Sequence, residues 1–293
     1  MMYSYKTCAF LAFFSVFLFT CESKEGLKNS AKNLNDSELE IGQTDGVSLT
    51  TFETDSIAKL VLSKTGGYPL NSERRRNILD SAIAKHPTIA YLYQQRAMPL
   101  YKEDKDELGL PFLEKAAALD PEKWLDYMAF MKCIFSKNYE DAIVDFNKAL
   151  ELNGESYVMD HSYYFYLGLC NLQLNAFEKA KDFFEKSIAQ SVNEDGEEWI
   201  HFTDLMYLGI ANYELNNFEE AIKIFDEALL LQPKFSDVKY YKAICLGRIG
   251  EIEKAEKTFI EAKEDFINDD IMYEDNTIYE RYPYQVRKSW FGL

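Results

Sequence analysis

The chain is 293 residues long, 47% hydrophobic, 15% aromatic and 28% charged, with a formal net charge of −17. That much apolar content excludes a disordered chain, and only 13 Gly and 7 Pro exclude a collagen-like or linker protein. With 49 acidic against 32 basic residues there is no cationic face for phosphate. Nucleic acid is therefore not an expected partner, and the folded part should not be drawn to an anionic membrane surface.

Residues 1–20 read as an export signal. Lys6 supplies a positive start, and Ala9 to Thr20 is Phe-rich and apolar except for Ser15 and Thr20. The run is about 12 residues, whereas about 20 are needed to span a bilayer as a helix. It ends in Leu18-Phe19-Thr20-Cys21, which resembles a bacterial lipobox. The resemblance implies cleavage before Cys21 and attachment of palmitate-type acyl chains to it, with several chains giving lasting anchorage. An ordinary secreted form and an uncleaved anchor are the alternatives. The charged Glu22-Ser23-Lys24-Glu25 that follows is similar to the surface-export signal of Bacteroidetes-type lipoproteins; it reads equally as a solvated tether. The expected location is the cell envelope, at the outer membrane, facing periplasm or surface.

Cleavage at that point removes Lys6 and no acid, leaving −18 on the mature chain. Cys8 leaves with the signal and Cys21 is consumed by lipid. Cys133, Cys170 and Cys245 remain, an odd and widely spaced set without a C-x-x-C. That argues against a disulfide framework and for three buried hydrophobes. Residues 21–54 are polar and show no stable period, so they are expected to form a flexible tether.

From residue 55 the chain repeats itself. Asn138-Tyr139-Glu140-Asp141-Ala142 precedes Phe146, and Asn175 to Ala180 precedes Phe184. Asn217-Phe218-Glu219-Glu220-Ala221 precedes Phe225, and Gly250 to Ala255 precedes Phe259. The aligned alanines are 38, 41 and 34 residues apart. Each Ala-to-Phe step of four is one helical turn on one face. A small residue recurs in the preceding helix at Gly168, Gly209 and Ala243, where it would let two helices approach closely.

This pattern resembles the tetratricopeptide repeat, a 34-residue helix–turn–helix. The fullest match, 202–235, has Leu208-Gly209, Ala221, Phe225, Ala228 and Pro233 in the expected places. Other repeats fall near 90–123, 123–156, 161–194 and 236–269, with a partial one before 90 ending in Ala82 and Pro87. The resemblance implies an all-α fold, an α-α superhelix of five to six hairpins over 55–269, in which neighbours must stack to bury their apolar faces. Residues 270–293 hold four tyrosines, Trp290 and Phe291. A capping helix is the first expectation; a docking tail, or one folded into its own groove, are the others.

The chain has no phosphate loop, no dinucleotide fingerprint and no nucleophile elbow. Asp160-His161 and His201 with Asp204 open neighbouring repeats, but without an H-x-x-x-H or a Cys partner no metal is expected. Arg74-Arg75-Arg76 is the one basic run, a solvated face or an anion site. No enzyme activity and no cofactor are expected. In the resembled family, set places of each first helix line a concave groove. Carried onto this chain they nominate Tyr91, Trp124, Tyr127, Met131, Phe165, Met206, Tyr213 and Tyr240 as partner-binding residues, unless they pack between repeats. An aromatic and Met-lined groove suits an apolar helix or an extended peptide. The expected role is a non-catalytic, membrane-anchored scaffold or adaptor binding envelope proteins, with glycan binding at the surface as the alternative.

Overall fold

The computed structural model describes residues 49–194 and 196–293. The export signal, Cys21 and nearly all of the tether lie outside the described residues. Twelve α-helices are described, and they pair as six hairpins. These are α1 (Thr51–Thr65) with α2 (Glu73–Lys85), α3 (Ala90–Tyr101) with α4 (Asp106–Leu119), and α5 (Pro121–Ile134) with α6 (Tyr139–Asn153). They continue with α7 (Tyr163–Gln173) and α8 (Phe177–Glu194), α9 (Phe202–Glu214) and α10 (Phe218–Leu231), and α11 (Ser236–Arg248) and α12 (Ile252–Ile267). From α3 onward, each second helix also packs on the first helix of the next hairpin. The result is an all-α repeat superhelix. No helix among the described residues is long and apolar enough to cross a membrane.

The array starts earlier than apolar periodicity suggests. Helix α1 begins at Thr51, inside the stretch expected to be tether, because Thr50 and Glu53 form a capping box. The Thr50 hydroxyl accepts from Glu53 N at 3.3 Å, and the Glu53 carboxylate accepts from Thr50 N at 2.8 Å. Two orphan donors of the first turn are satisfied, so the helix starts before its first buried residue, Ile57.

The repeat chemistry works as the spacing requires. Phe146, Phe184 and Phe225 are fully buried, as are Ala142, Ala180 and Ala221. A Cβ added at Gly168 would lie 2.6 Å from the Phe184 ring, and one at Gly209 would lie 2.4 Å from that of Phe225. Only glycine lets the first helix sit this close to the second helix's ring. The turn inside five hairpins passes through one left-handed residue: Asp104, Lys137, Asn175, Asn216 or Gly250. Gly, Asn and Asp reach that region at least cost, and the chain uses them in four of the five turns.

Two insertions stretch the repeat spacing. Between α6 and α7 a small hairpin pairs Tyr157–Val158 (β1) with His161–Ser162 (β2). Its turn, Met159-Asp160, has both residues at positive φ, as a type I′ turn requires. Between α8 and α9 lies a short 3₁₀ turn, Glu197–Trp199. Cys133, Cys170 and Cys245 are buried and free. Arg75 is not solvated: it is buried and donates to Gln95 Oε1 at 3.1 Å, tying α2 to α3.

Residues 270–293 form no capping helix. Asn268 to Asp270, Asp275-Asn276 and Pro283 interrupt any helical run. The segment holds one 3₁₀ turn, Lys288–Phe291, and otherwise runs as irregular chain back over the first helices. Its end does cover α12, where Phe291 and Val286 pack with Ala262, Phe259 and Phe266.

Candidate binding groove

First helices of successive hairpins touch one another, α5 with α7, α7 with α9 and α9 with α11, so they share one face. Residues 270–293 lie on that face. The outgoing leg starts where Ser236 N donates to Asp270 O. It continues past Asp237 and reaches the β-hairpin before α7, where Glu274 Oε1 lies 3.2 Å from His161 Nε2. The tip arrives at the far ends of α3 and α5. There Lys102 Nζ lies 3.3 Å from the Tyr279 hydroxyl, Lys137 pairs with Glu280 at 3.2 Å, and Lys137 Nζ donates to Arg281 O at 2.7 Å. The returning leg buries Tyr282. The Tyr207 hydroxyl then donates to Pro283 O at 2.8 Å and the Tyr241 hydroxyl to Tyr284 O at 2.9 Å. The segment finishes with Trp290 stacked on Tyr240 at 5.3 Å and Lys263 Nζ donating to Phe291 O at 2.9 Å.

Asp237 joins the two legs. One carboxylate oxygen accepts from Met272 N at 2.7 Å and the other from Val286 N at 2.8 Å. Burial pushes this carboxyl up to about 6, against the pull of those two N–H groups.

His161 is placed by the β-hairpin and stacks on Phe165 at 3.9 Å. Its Nδ1 lies 3.5 Å from Asp204 Oδ2, opposite the Nε2 contact with Glu274. Burial alone would lower its pKa, but the two carboxylates outweigh burial and raise it to about 10. His201 stands edge-on to it at 5.1 Å, and burial and the charge of His161 lower its pKa. His201 caps α9, its Nδ1 accepting from Thr203 N. His161, His201 and Asp204 offer ligand atoms all within 4.8 Å of one another, so the fold does bring these three together. Both His161 nitrogens already face carboxylates, Asp204 also accepts from Ser187, and His201 Nδ1 is taken by Thr203. The group works as an ion-pair cluster holding Glu274.

The eight residues nominated from the repeat register are not equally placed. Phe165 and Met206 are fully buried, and Met131 and Trp124 nearly so. Tyr91, Tyr127, Tyr213 and Tyr240 are half-buried. Tyr91, Trp124 and Tyr127 form an aromatic ladder with ring centroids 5.9 Å apart at each step. Tyr213 lies 5.7 Å from Tyr241, and Tyr240 is covered by Trp290 and Phe291. Of the residues that hold the segment, Tyr240 is among the eight; Tyr207, Tyr241 and His161 are not. A signal for two of them exists: Tyr166, Tyr207 and Tyr241 recur at intervals of 41 and 34, the same intervals as the alanines.

Family models of the tetratricopeptide repeat match residues 136–193 and 203–235. Both stretches are tetratricopeptide repeats. The six-hairpin array is similar to solved repeat structures. PilW, a type IV pilus biogenesis factor, is 12% identical with a TM-score of 0.59 over 75% of this chain and 96% of that one. A tetratricopeptide repeat protein from Parabacteroides merdae is 18% identical, TM-score 0.59, over 72% and 80%. PilF from Pseudomonas aeruginosa is 19% identical, TM-score 0.53, over 72% and 92%. At these identities the likeness shows the fold. No curated protein matches the chain.

Proposed function

We propose that this chain is a non-catalytic adaptor of the bacterial cell envelope, held to the membrane by lipid on Cys21, that binds a protein partner through its tetratricopeptide repeats. The observation that carries the reading is the loaded groove. Side chains of the first helices, with Lys137, His161 and Lys263 beside them, already hold a peptide segment, largely through its main chain, and that is the work a peptide-binding repeat array performs. The Leu18-Phe19-Thr20-Cys21 sequence and the acidic body support anchorage by lipid rather than by surface charge.

Two measurements test this. Metabolic labelling with palmitate should mark the wild-type chain and not Cys21→Ser; equal labelling removes the anchor. Affinity capture from envelope extracts should recover a partner with wild type and lose it with Tyr91→Ala/Tyr127→Ala, which alters half-buried groove positions. Unchanged recovery places the partner on another face.

A further inference from the structure

Residues 270–293 behave as a ligand that happens to be covalently attached. Side chains of the groove read their main chain at six points: Met272 N and Val286 N through Asp237, and the carbonyls of Arg281, Pro283, Tyr284 and Phe291 through Lys137, Tyr207, Tyr241 and Lys263. Contacts of this kind accept many sequences. Selectivity comes from a few anchors. Met272, Tyr282, Val286 and Phe291 are each at most 4% exposed, while Tyr273 and Ile278 between the first two are each 75% exposed. Sunk anchors separated by solvent-facing side chains suit a peptide segment lying in a groove. One charged anchor joins them, Glu274 against His161.

The occupant cannot simply leave. Without it the Asp237 carboxylate, buried at the start of α11, would lose both N–H partners, and the Tyr207 hydroxyl would lose its acceptor. A buried polar group left unpaired is costly, so an empty groove is disfavoured and exchange for an equivalent segment is favoured.

Resting on the adaptor reading above, we propose that the groove takes a partner segment of the same chemistry as residues 270–293, and that this tail holds the site until such a segment displaces it. The segment is irregular, with turns as at 275–279 and 283–284. It carries a carboxylate that reaches His161 and, eight residues further on, an aromatic–proline pair that seats at Tyr166 and Tyr207, as Glu274 and Tyr282-Pro283 do now. The tail is the template for the ligand as well as its competitor.

The test uses the full chain and a dye-labelled synthetic peptide with the sequence of residues 270–293. In native-state hydrogen exchange, the amides of Met272 and Val286 should open at least tenfold faster than those of α9, by a route that leaves α9 protected. Exchange of both only together with α9 makes the tail permanent core and overturns the proposal. The labelled peptide should bind Glu274→Lys at least tenfold more tightly than wild type, because the new ammonium faces the protonated His161 and weakens the tail in cis. The same peptide carrying Glu274→Lys should bind at least tenfold more weakly. Absent or equal binding, with circular dichroism showing both chains folded, overturns the proposal whatever affinity capture recovers. Peptide exchange without any captured envelope partner supports the proposal and removes the adaptor function instead.

Discussion

Asp237 and Val286 are 49 residues apart, and the side chain of one holds the backbone of the other: Asp237 Oδ1 accepts from Val286 N at 2.8 Å. Its second oxygen takes Met272 N. Both oxygens are acceptors only when the group is ionised. Asp237→Asn keeps one acceptor and turns a donor toward an N–H. It should destabilise the fold by about 1–3 kcal/mol, the cost of an unpaired buried group, and should free the tail first. Urea denaturation and limited proteolysis after residue 270 check this; unaltered resistance of the tail would contradict it.

The tyrosine series offers an internally controlled experiment. Tyr207→Phe and Tyr241→Phe each remove a hydroxyl that donates to a tail carbonyl, that of Tyr207 also reaching Met272 Sδ at 3.8 Å, and each should cost about 1 kcal/mol. Their tail amides should exchange about fivefold faster. Tyr166→Phe removes a bond of similar length, 3.1 Å, but to Met159 O in the β-hairpin, so it should leave tail exchange unchanged. A uniform response of all three would mean the hydroxyls act only through general packing.

Gly168→Ala and Gly209→Ala should each destabilise by about 1–3 kcal/mol, since the added methyl meets an aromatic ring well inside contact distance. Pairing Gly209→Ala with Phe225→Leu should recover part of the loss, whereas either change beside an unrelated core truncation should add to it. Thermal denaturation of the single and double variants separates these.

Two buried groups, Asp237 and His161, lose their stabilising contribution as pH rises, while that of His201, whose pKa burial and the His161 charge lower, is lost as pH falls. Asp237 has a folded pKa of about 6, above its ordinary carboxylate value near 4. The stability it contributes is complete below pH about 4 and is lost as pH rises through 6. His161 has a folded pKa of about 10 against about 6.5 when unfolded. Its contribution is complete below about 6.5 and is lost as pH rises through 10. Denaturation midpoints should therefore fall steadily from pH 6.5 to 10, and His161→Gln should flatten that slope. A slope unchanged in the variant would assign the loss elsewhere.

The fold was readable because its rules are local and repeated. The Ala142–Phe146 step and its copies announce the second helices, and Gly168 and Gly209 announce the close crossings. The start of α1 was hidden because a polar cap, Thr50 with Glu53, defines it rather than an apolar face. The β-hairpin that positions His161 depends on a turn whose first residue, Met159, does not advertise positive φ. The path of the tail was the least readable part. Its internal backbone bonds close only short local turns, and the groups that hold it in place, Asp237, Tyr207, Tyr241 and Lys137, lie 35 to 144 residues away. Periodicity cannot report such pairings. The groove register named positions that the repeats use for packing, so Phe165 and Met206 stand behind the surface rather than on it.

The contact between Lys102 and Tyr279 spans 177 residues. A stacked repeat array is otherwise a chain of neighbours: each unit feels only the next, and such arrays fray from their ends. Here one strand laces the second, third, fourth, fifth and sixth hairpins together from the inside, through Lys102, Lys137, His161, Tyr207 and Asp237. That lacing turns a spring into a braced arch. It should melt in one transition while the strap is seated, and unit by unit once the strap is drawn out.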